Sequence, residues 1–189
     1  MRAVVLCVLV AAGQYSARAD GNPEVQLATS LGVIVLELYP DKAPVTVENF
    51  LNYVKNGHYD GTIFHRTVYG WIIQGGGYDA QLNELETAEP IVNEAGNGLS
   101  NERGTIAMAR LSDPDSAAAQ FFINLQDNPG LDHKGESRRT FGYCVFGRVI
   151  SGMDVADAIG EVRTHEVADF DVNVPIEPVI LEHATLLSR

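Results

Sequence analysis

The sequence offers little support for metal, covalent or cofactor chemistry. Among its five histidines and two cysteines, no pair has the spacing of an HExxH-like or CxxC-like metal motif. Neither a GxSxG nucleophile elbow nor a phosphate-binding loop occurs, and Gly75–Gly77 does not open a helix, so we interpret that run as a tight turn or close backbone packing. These absences predict a protein that works without a metal, a covalent nucleophile or an organic cofactor.

Positive charge is scarce as well. The 189 residues include 13 Lys and Arg against 25 Asp and Glu, which gives a formal net charge of -12. A surface with this balance does not neutralise a phosphate backbone, so nucleic acid is not an expected partner. Hydrophobic residues make up 46% of the chain and charged residues 20%, a composition typical of one globular domain with a sizeable core.

The first 19 residues have the features of a secretory signal. An apolar stretch over Ala3–Gly13 follows a basic start and is too short to span a membrane as a helix, and Ala17–Ala19 has an A-x-A cleavage pattern. We therefore predict cleavage after Ala19 and a mature domain of residues 20–189 without a membrane segment; an N-terminal anchor or a buried strand is the alternative. Cleavage leaves Cys144 as the single cysteine, and its apolar neighbours predict a small core residue.

Apolar periodicity predicts a mainly β protein with two helices. Val25–Tyr39 has the pattern of a hairpin, and the stripe from Val47 to Val54 predicts a helix with Thr46 as N-cap and Gly57 just past its end. A second short helix is predicted over Met153–Ile159, and further strands over Thr62–Val68, Trp71–Gln74, Thr105–Arg110, Phe121–Leu125, Tyr143–Val149 and Pro178–Leu187. Since strands and helices do not alternate, an antiparallel barrel or sandwich is favoured.

Three of these strands combine apolar and hydrogen-bonding groups on one face, because alternate residues of a strand point the same way. In the first strand, Phe64 is predicted to share a face with Arg66, and His65 to share the other face with Thr67. In the next two strands, Ile72 shares a face with Gln74, and Gln120 shares a face with Phe122 and Asn124. The residues on the opposite faces, Ile73, Phe121 and Ile123, suit a barrel core. A floor of Phe122 and Ile72, rimmed by the arginine and two glutamines, suits a small apolar group beside a peptide bond. The alternative is that Arg66 is a snorkelling surface residue and the glutamines are solvated.

Four long motifs resemble one known family. FHRxxxGxxxQGG, GTIAMAR, AQFFINL and GYCVFGRVISGMDV follow one another in the order found in the cyclophilin family of peptidyl-prolyl cis-trans isomerases. The resemblance extends from about Val25 to Leu187 and, with the N-terminal signal, is strongest to the periplasmic bacterial members. It implies a closed eight-stranded antiparallel β-barrel capped by two α-helices, with the site on the outer face of the barrel.

The resemblance also implies an activity and partners. The reaction would be rotation about X–Pro peptide bonds without a cofactor, assisting the folding of exported proteins, and the partners would be proline-containing unfolded or extended polypeptides. We expect a monomer. A hypothesis from a different class is a non-catalytic chaperone or binding module for such segments, which would bind prolyl peptides without speeding their exchange.

Site residues follow from the resemblance, position by position. Arg66 matches the catalytic arginine, Gln74 the glutamine that orients substrate and arginine, and Phe122 the floor of the proline pocket. The matching substrate-binding positions are Trp71, Ile72, Ala109, Arg110, Gln120, Leu131 and Tyr143. Gly130 stands where many relatives carry an aromatic residue, and Tyr143 where many carry a histidine. Because an aromatic contact is missing, cyclosporin, the family's inhibitor, is predicted to bind weakly.

Overall fold

A computed structural model describes residues 21–168 and 170–188. The predicted signal lies outside these residues. None of the helices that the structure describes has the length and apolar character needed to cross a bilayer.

The described chain forms two helices and a series of short strands. The helices are α1 (Pro44–Lys55) and α2 (Met153–Gly160). The strands are β1 (Glu24–Thr29), β2 (Gly32–Leu38), β3 (Thr62–Ile63), β4 (Arg66–Val68), β5 (Ile72–Gly75), β6 (Thr105–Met108), β7 (Phe121–Asn124), β8 (Val145–Ser151), β9 (Thr164–Val167), β10 (Asp171–Pro175) and β11 (Ile180–Ser188). The sequence predicted all of these except the pair β9 and β10, and it joined β3 and β4 into one strand.

One antiparallel sheet of nine strands surrounds the core, in the order β3-β11-β1-β2-β8-β6-β7-β5-β4. Its two edge strands, β3 and β4, follow each other along the chain and are separated only by Phe64 and His65. Among the described residues no strand pairing joins β3 to β4, so the ring is completed by the chain itself. Counted as two halves of one interrupted strand, β3 and β4 give the eight strands that were predicted. The hydrogen-bonded ladder, however, is open at this point rather than closed.

The interruption between β3 and β4 corrects one prediction about strand faces. Phe64 was expected on the same face as Arg66, but it is 1% exposed and packs in the main core beside Phe121. Strict alternation does not hold across the two residues that separate the strands, because they lie outside both ladders. Arg66 therefore lies on the opposite side of the sheet from Phe64.

Helix α1 covers one end of the barrel. Its predicted apolar stripe is buried, and Phe50 packs against the rings of Tyr59, Phe121 and Phe146 with centroid separations of 5.2 to 5.7 Å. The N-cap prediction was wrong, because Ala43 occupies that position and Thr46 lies inside the first turn. The predicted stop is confirmed: Gly57 follows the C-cap residue in a left-handed conformation, with φ of +68°.

The glycine run and the cysteine have the structural roles expected of them. A Cβ added to Gly76 would come within 2.7 Å of the Tyr59 ring, and one added to Gly77 within 2.5 Å of the Gln120 side chain. Cys144 is 3% exposed, and burial raises the pKa of its thiol to about 11, so it is held as the neutral thiol. Close packing at the glycines and a core role for Cys144 are both confirmed.

Candidate active site

A second apolar cluster lies on the outer face of the sheet, apart from the barrel core. Its buried members are Ile72, Ala107, Phe122 and Val145, and partly buried residues around them are Val68, Trp71, Leu99, Ala109, Leu131 and Tyr143. The intervening residues Ile73 and Ile123 belong to the main core, as alternation requires. We call this set the outer cluster; it provides an apolar surface at the foot of several loops.

Strand register brings the three predicted catalytic residues into one row. Arg66 on β4 lies directly opposite Gln74 on β5, and Gln74 lies opposite Phe122 on β7. Phe122 is in turn opposite Ala107 on β6. Directly paired residues on one face of an antiparallel sheet have Cβ atoms about 4.5–5.5 Å apart. The row therefore places a cation, an amide and an aromatic ring side by side.

Arg66 is held from two sides. Its Nε lies 3.0 Å from Oδ2 of Asp171, and both side chains are 26% exposed. The guanidinium carbon lies 5.4 Å from the ring centroid of Trp71, within the range of a cation–π contact. Within the described residues, neither terminal nitrogen of Arg66 has a hydrogen-bond partner. The side chain is thus fixed at one end, and its remaining donors stay available next to the outer cluster.

Gln74 and Gln120 form a second polar pair beside the arginine. The Nε2 of Gln74 donates a hydrogen bond to Oε1 of Gln120 at 3.0 Å. Both glutamines line a cavity of about 250 Å³, together with Ala109 and Arg110. In the described part of the chain no hydrogen bond joins Gln74 to Arg66, so the predicted role of Gln74 in orienting the arginine stays a prediction.

Tyr143 and Arg110 form the opposite wall. The Tyr143 ring meets Phe122 edge-on, with centroids 5.5 Å apart, and its backbone N–H donates to the carbonyl of Leu131 at 2.9 Å. The guanidinium of Arg110 lies 4.8 Å from the Tyr143 ring centroid, and its Nε donates to the carbonyl of Gly142 at 2.9 Å. All the predicted substrate-binding residues therefore lie around the outer cluster or in the adjoining cavity.

Comparison with known proteins identifies the family. Residues 24–185 match the sequence model of one protein family. That family is described as "Cyclophilin type peptidyl-prolyl cis-trans isomerase/CLD". The chain belongs to the cyclophilin family. The outer cluster and the row of Arg66, Gln74 and Phe122 thus lie on the face of the sheet where the resemblance implied a site.

Curated relatives and solved structures agree with this assignment. Peptidyl-prolyl cis-trans isomerase A of Dickeya dadantii (strain 3937) is 46% identical over 189 residues, covering 100% of this chain and 97% of that protein. Peptidyl-prolyl cis-trans isomerase B of Escherichia coli (strain K12) is 51% identical over 162 residues, covering 86% and 98%. A cyclophilin type isomerase of Cryptosporidium parvum, crystallised in the presence of the dipeptide Ala-Pro, superposes with a TM-score of 0.72 at 26% identity, covering 88% and 99%.

Two structural features near the candidate site of this cyclophilin were not found from the sequence. The first is Asp171, which pairs with Arg66 although it lies far along the chain, in a segment for which the sequence predicted no element. The second is a buried amide network in which Asn128 donates to Asn124 at 2.7 Å and to the carbonyl of Trp71 at 3.2 Å, and Asn124 donates to Asn101 at 3.2 Å. Asn124 was placed on the correct face, but its partners Asn101 and Asn128 lie outside the strands, and no local pattern identifies them.

Proposed function

We propose that this cyclophilin catalyses rotation about X–Pro peptide bonds over the outer cluster. The observation that carries the proposal is the placement of Arg66. Its guanidinium is anchored through Nε, and its terminal nitrogens are uncommitted beside an apolar surface floored by Phe122 and Ile72. A proline ring fits the apolar surface, and the imide nitrogen would then lie near the donors.

The chemistry of the barrier explains why an arginine suits this position. Partial double-bond character of the C–N bond gives a rotation barrier of about 18–20 kcal/mol. In the twisted state the proline nitrogen regains its lone pair and accepts a hydrogen bond, which it cannot do in either planar isomer. A guanidinium directed at that nitrogen binds the twisted state more tightly than the ground states, and this differential binding lowers the barrier. No proton is transferred, so a permanently charged donor is sufficient.

The other site residues would hold the substrate. Phe122 and Ile72 form the floor of the proline pocket, and Leu131 and Tyr143 form its sides. The Gln74–Gln120 pair and the cavity beside it border the path of the residues that precede proline. Substrates of this site are extended or unfolded proline-containing segments, because the cluster lies on an open face.

Exchange spectroscopy tests the proposal directly. We expect residues 20–189 to accelerate cis–trans exchange of an Ala-Pro peptide, measured by NMR. Arg66→Ala should reduce that acceleration by about 10²–10³-fold, the effect of removing one preorganised donor. Arg66→Lys should also be strongly impaired, because lysine keeps the charge and loses the planar fork.

Arg148→Ala provides the matched control. Arg148, an exposed residue of β8, forms an ion pair with Glu37 of β2, with 3.1 Å between Nη2 and Oε2. Its loss should leave exchange unchanged. If the wild type shifts or broadens peptide signals without faster exchange, the protein is a prolyl-segment binder; if Arg66→Ala retains most of the activity, the arginine is not catalytic.

We further propose that residues 1–19 direct export to the periplasm and are removed there. The support is the short apolar stretch followed by the A-x-A pattern at Ala17–Ala19. N-terminal sequencing of the protein from a periplasmic fraction should give Asp20 as the first residue. A protein retained in the cytoplasm with Met1 intact would contradict the assignment.

A further inference from the structure

We propose that Asp171 is a positioning residue for Arg66. Its carboxylate holds the guanidinium beside Trp71, so that the terminal nitrogens face the outer cluster. This inference rests on the proposed function, because it concerns how the catalytic arginine is oriented. Asp171 itself does not touch the proline ring or the reacting bond.

The ion pair uses the Nε of Arg66, and the terminal nitrogens, Nη1 and Nη2, are assigned to the substrate. The Nε of Arg66 is 3.0 Å from Oδ2 of Asp171, and the guanidinium carbon is 5.4 Å from the Trp71 ring centroid. A long side chain on a short strand has several free torsions, and an unpaired arginine would occupy many rotamers. Contacts on two sides restrict this freedom, and the carboxylate contact is made through Nε rather than through a terminal nitrogen.

Asp171 is itself held in place. Its other oxygen, Oδ1, accepts hydrogen bonds from the backbone N–H of Asn173 at 2.8 Å and from the Asn173 side chain at 3.2 Å. Asp171 is also the first residue of β10, where it pairs with Val167 of β9. Strands β9 and β10 form a separate two-stranded sheet. The position of the Asp171 carboxylate is therefore fixed by contacts within its own segment, independently of Arg66.

The segment that carries Asp171 is packed against the strand that carries Arg66. The ring of Phe170 lies 4.8 Å from that of Tyr78 and 6.0 Å from that of His65, the neighbour of Arg66. Burial lowers the pKa of His65 to about 4, although Asp171 nearby raises it, so the imidazole is neutral near pH 7. Of the two groups beside Asp171, Arg66 is thus the cation that the carboxylate pairs with.

Asp171→Asn tests the positioning role, because it keeps the size of the side chain and removes its charge. We expect kcat for prolyl-peptide exchange to fall about tenfold, since misplacement of a catalytic group by a fraction of its length has effects of this order or larger. The KM should change less than twofold, because the outer cluster that binds the proline is untouched. Asp171→Glu, which restores the charge, should recover activity to within about threefold of the wild type.

Glu37→Gln is the matched control. Glu37 also pairs with an arginine, Arg148, and its side chain is 25% exposed, but it lies on β2 away from the outer cluster. This variant should have wild-type kcat and KM. An Asp171→Asn protein with unchanged or higher kcat would overturn the proposal, the higher value showing that Asp171 competes with substrate for the arginine.

Fluorescence gives a readout that does not depend on turnover. Trp71 is the single tryptophan, so its emission reports on the guanidinium stacked against it. We expect Asp171→Asn to move the emission in the same direction as Arg66→Ala, and Glu37→Gln to leave it unchanged. If the wild type shows no turnover, the proposed function fails, but the emission still decides whether Asp171 holds Arg66: an unchanged spectrum in Asp171→Asn overturns the positioning role.

Discussion

At the scale of the residue, Gly130 offers the sharpest test of substrate and inhibitor recognition. A Cβ at this position meets no atom within 4 Å, and the backbone is outside the left-handed region, so a larger side chain can be added without strain. Its neighbour Leu131 packs on the outer cluster. We expect Gly130→Trp to tighten cyclosporin binding at least tenfold, since a rigid aromatic anchor beside an apolar pocket is a typical binding hot spot. Titration calorimetry measures the change.

Gly130→Ala separates the aromatic contact from the loss of glycine flexibility. This variant should bind cyclosporin as weakly as the wild type, because a methyl group adds little contact surface. Nanomolar binding by the unmodified protein would contradict the expectation that Gly130 limits affinity. Equal affinities for Gly130→Trp and Gly130→Ala would show that the loop directs the side chain away from the inhibitor.

Residue-level prediction succeeded where strand alternation decides the outcome. Ile72 and Phe122 are on the outer side, with Gln74 paired opposite Phe122, because their strands are regular and one face must enter the core. Gln120 precedes β7 by one residue and accepts a hydrogen bond from Gln74. Asp171 could not be found in this way. Its contact with Arg66 depends on how β10 packs against β4, and an acidic residue in a polar segment carries no local signal of its partner.

At the scale of the element, the start of α1 depends on a residue from a distant loop. The N-cap residue, Ala43, has no side chain that can accept a hydrogen bond. Glu94 replaces it: Oε1 accepts from the N–H of Val45 at 3.2 Å, and Oε2 accepts from the N–H of Thr46 at 2.8 Å and from its hydroxyl at 2.7 Å. A carboxylate here also lies favourably at the positive end of the helix dipole.

We therefore expect Glu94→Gln to lower the free energy of unfolding by about 1–2 kcal/mol, the usual cost of losing an N-cap. Urea denaturation followed by circular dichroism measures the change. Glu89→Gln, an exposed position in the same loop, removes the same charge and should shift stability by less than about 0.5 kcal/mol. If both variants lose the same amount, net charge rather than capping accounts for the effect.

The element predictions failed where a short strand lacks a buried face. Helix α1 was found because four of its residues form a buried stripe. The strands β9 and β10 were missed: Thr164–Val167 has no fully buried residue, and only the last two residues of β10 are buried. The sequence of β9 does not alternate, and the short alternation of Val172 and Val174 in β10 does not mark a buried face, because Val172 is 62% exposed.

At the scale of the whole molecule, His65 lies where the two edges of the sheet meet. It lies in the short interruption between β3 and β4, and it is 4% exposed. Its Nδ1 has no hydrogen-bond partner in the part of the chain that the structure describes, and its ring packs 4.7 Å from that of Tyr78. A positive charge on this imidazole would therefore be buried between β3 and β4, the two edge strands that no described strand pairing joins.

The free energy of unfolding should consequently fall in mild acid. The pKa of His65 is lowered from 6.5 to about 4, mainly by burial, so the unfolded chain binds this proton more readily than the folded protein. The stabilising contribution is complete above pH 6.5 and is lost as the pH falls from 6.5 towards 4. One pH unit between the two pKa values corresponds to about 1.4 kcal/mol. Between pH 7.5 and 4.5 we therefore expect His65 to lower the free energy of unfolding by about 2–3 kcal/mol.

His65→Phe keeps an aromatic ring and cannot be protonated, so its stability should depend much less on pH across this interval. Urea denaturation at pH 7.5, 6.0 and 4.5 gives the slopes. Part of the dependence should remain, because burial also lowers the pKa of His58. His183→Gln, at an exposed position paired with Asp60, should keep the slope of the wild type. If His65→Phe also keeps that slope, the acid sensitivity arises elsewhere, and the junction between β3 and β4 accepts a protonated imidazole.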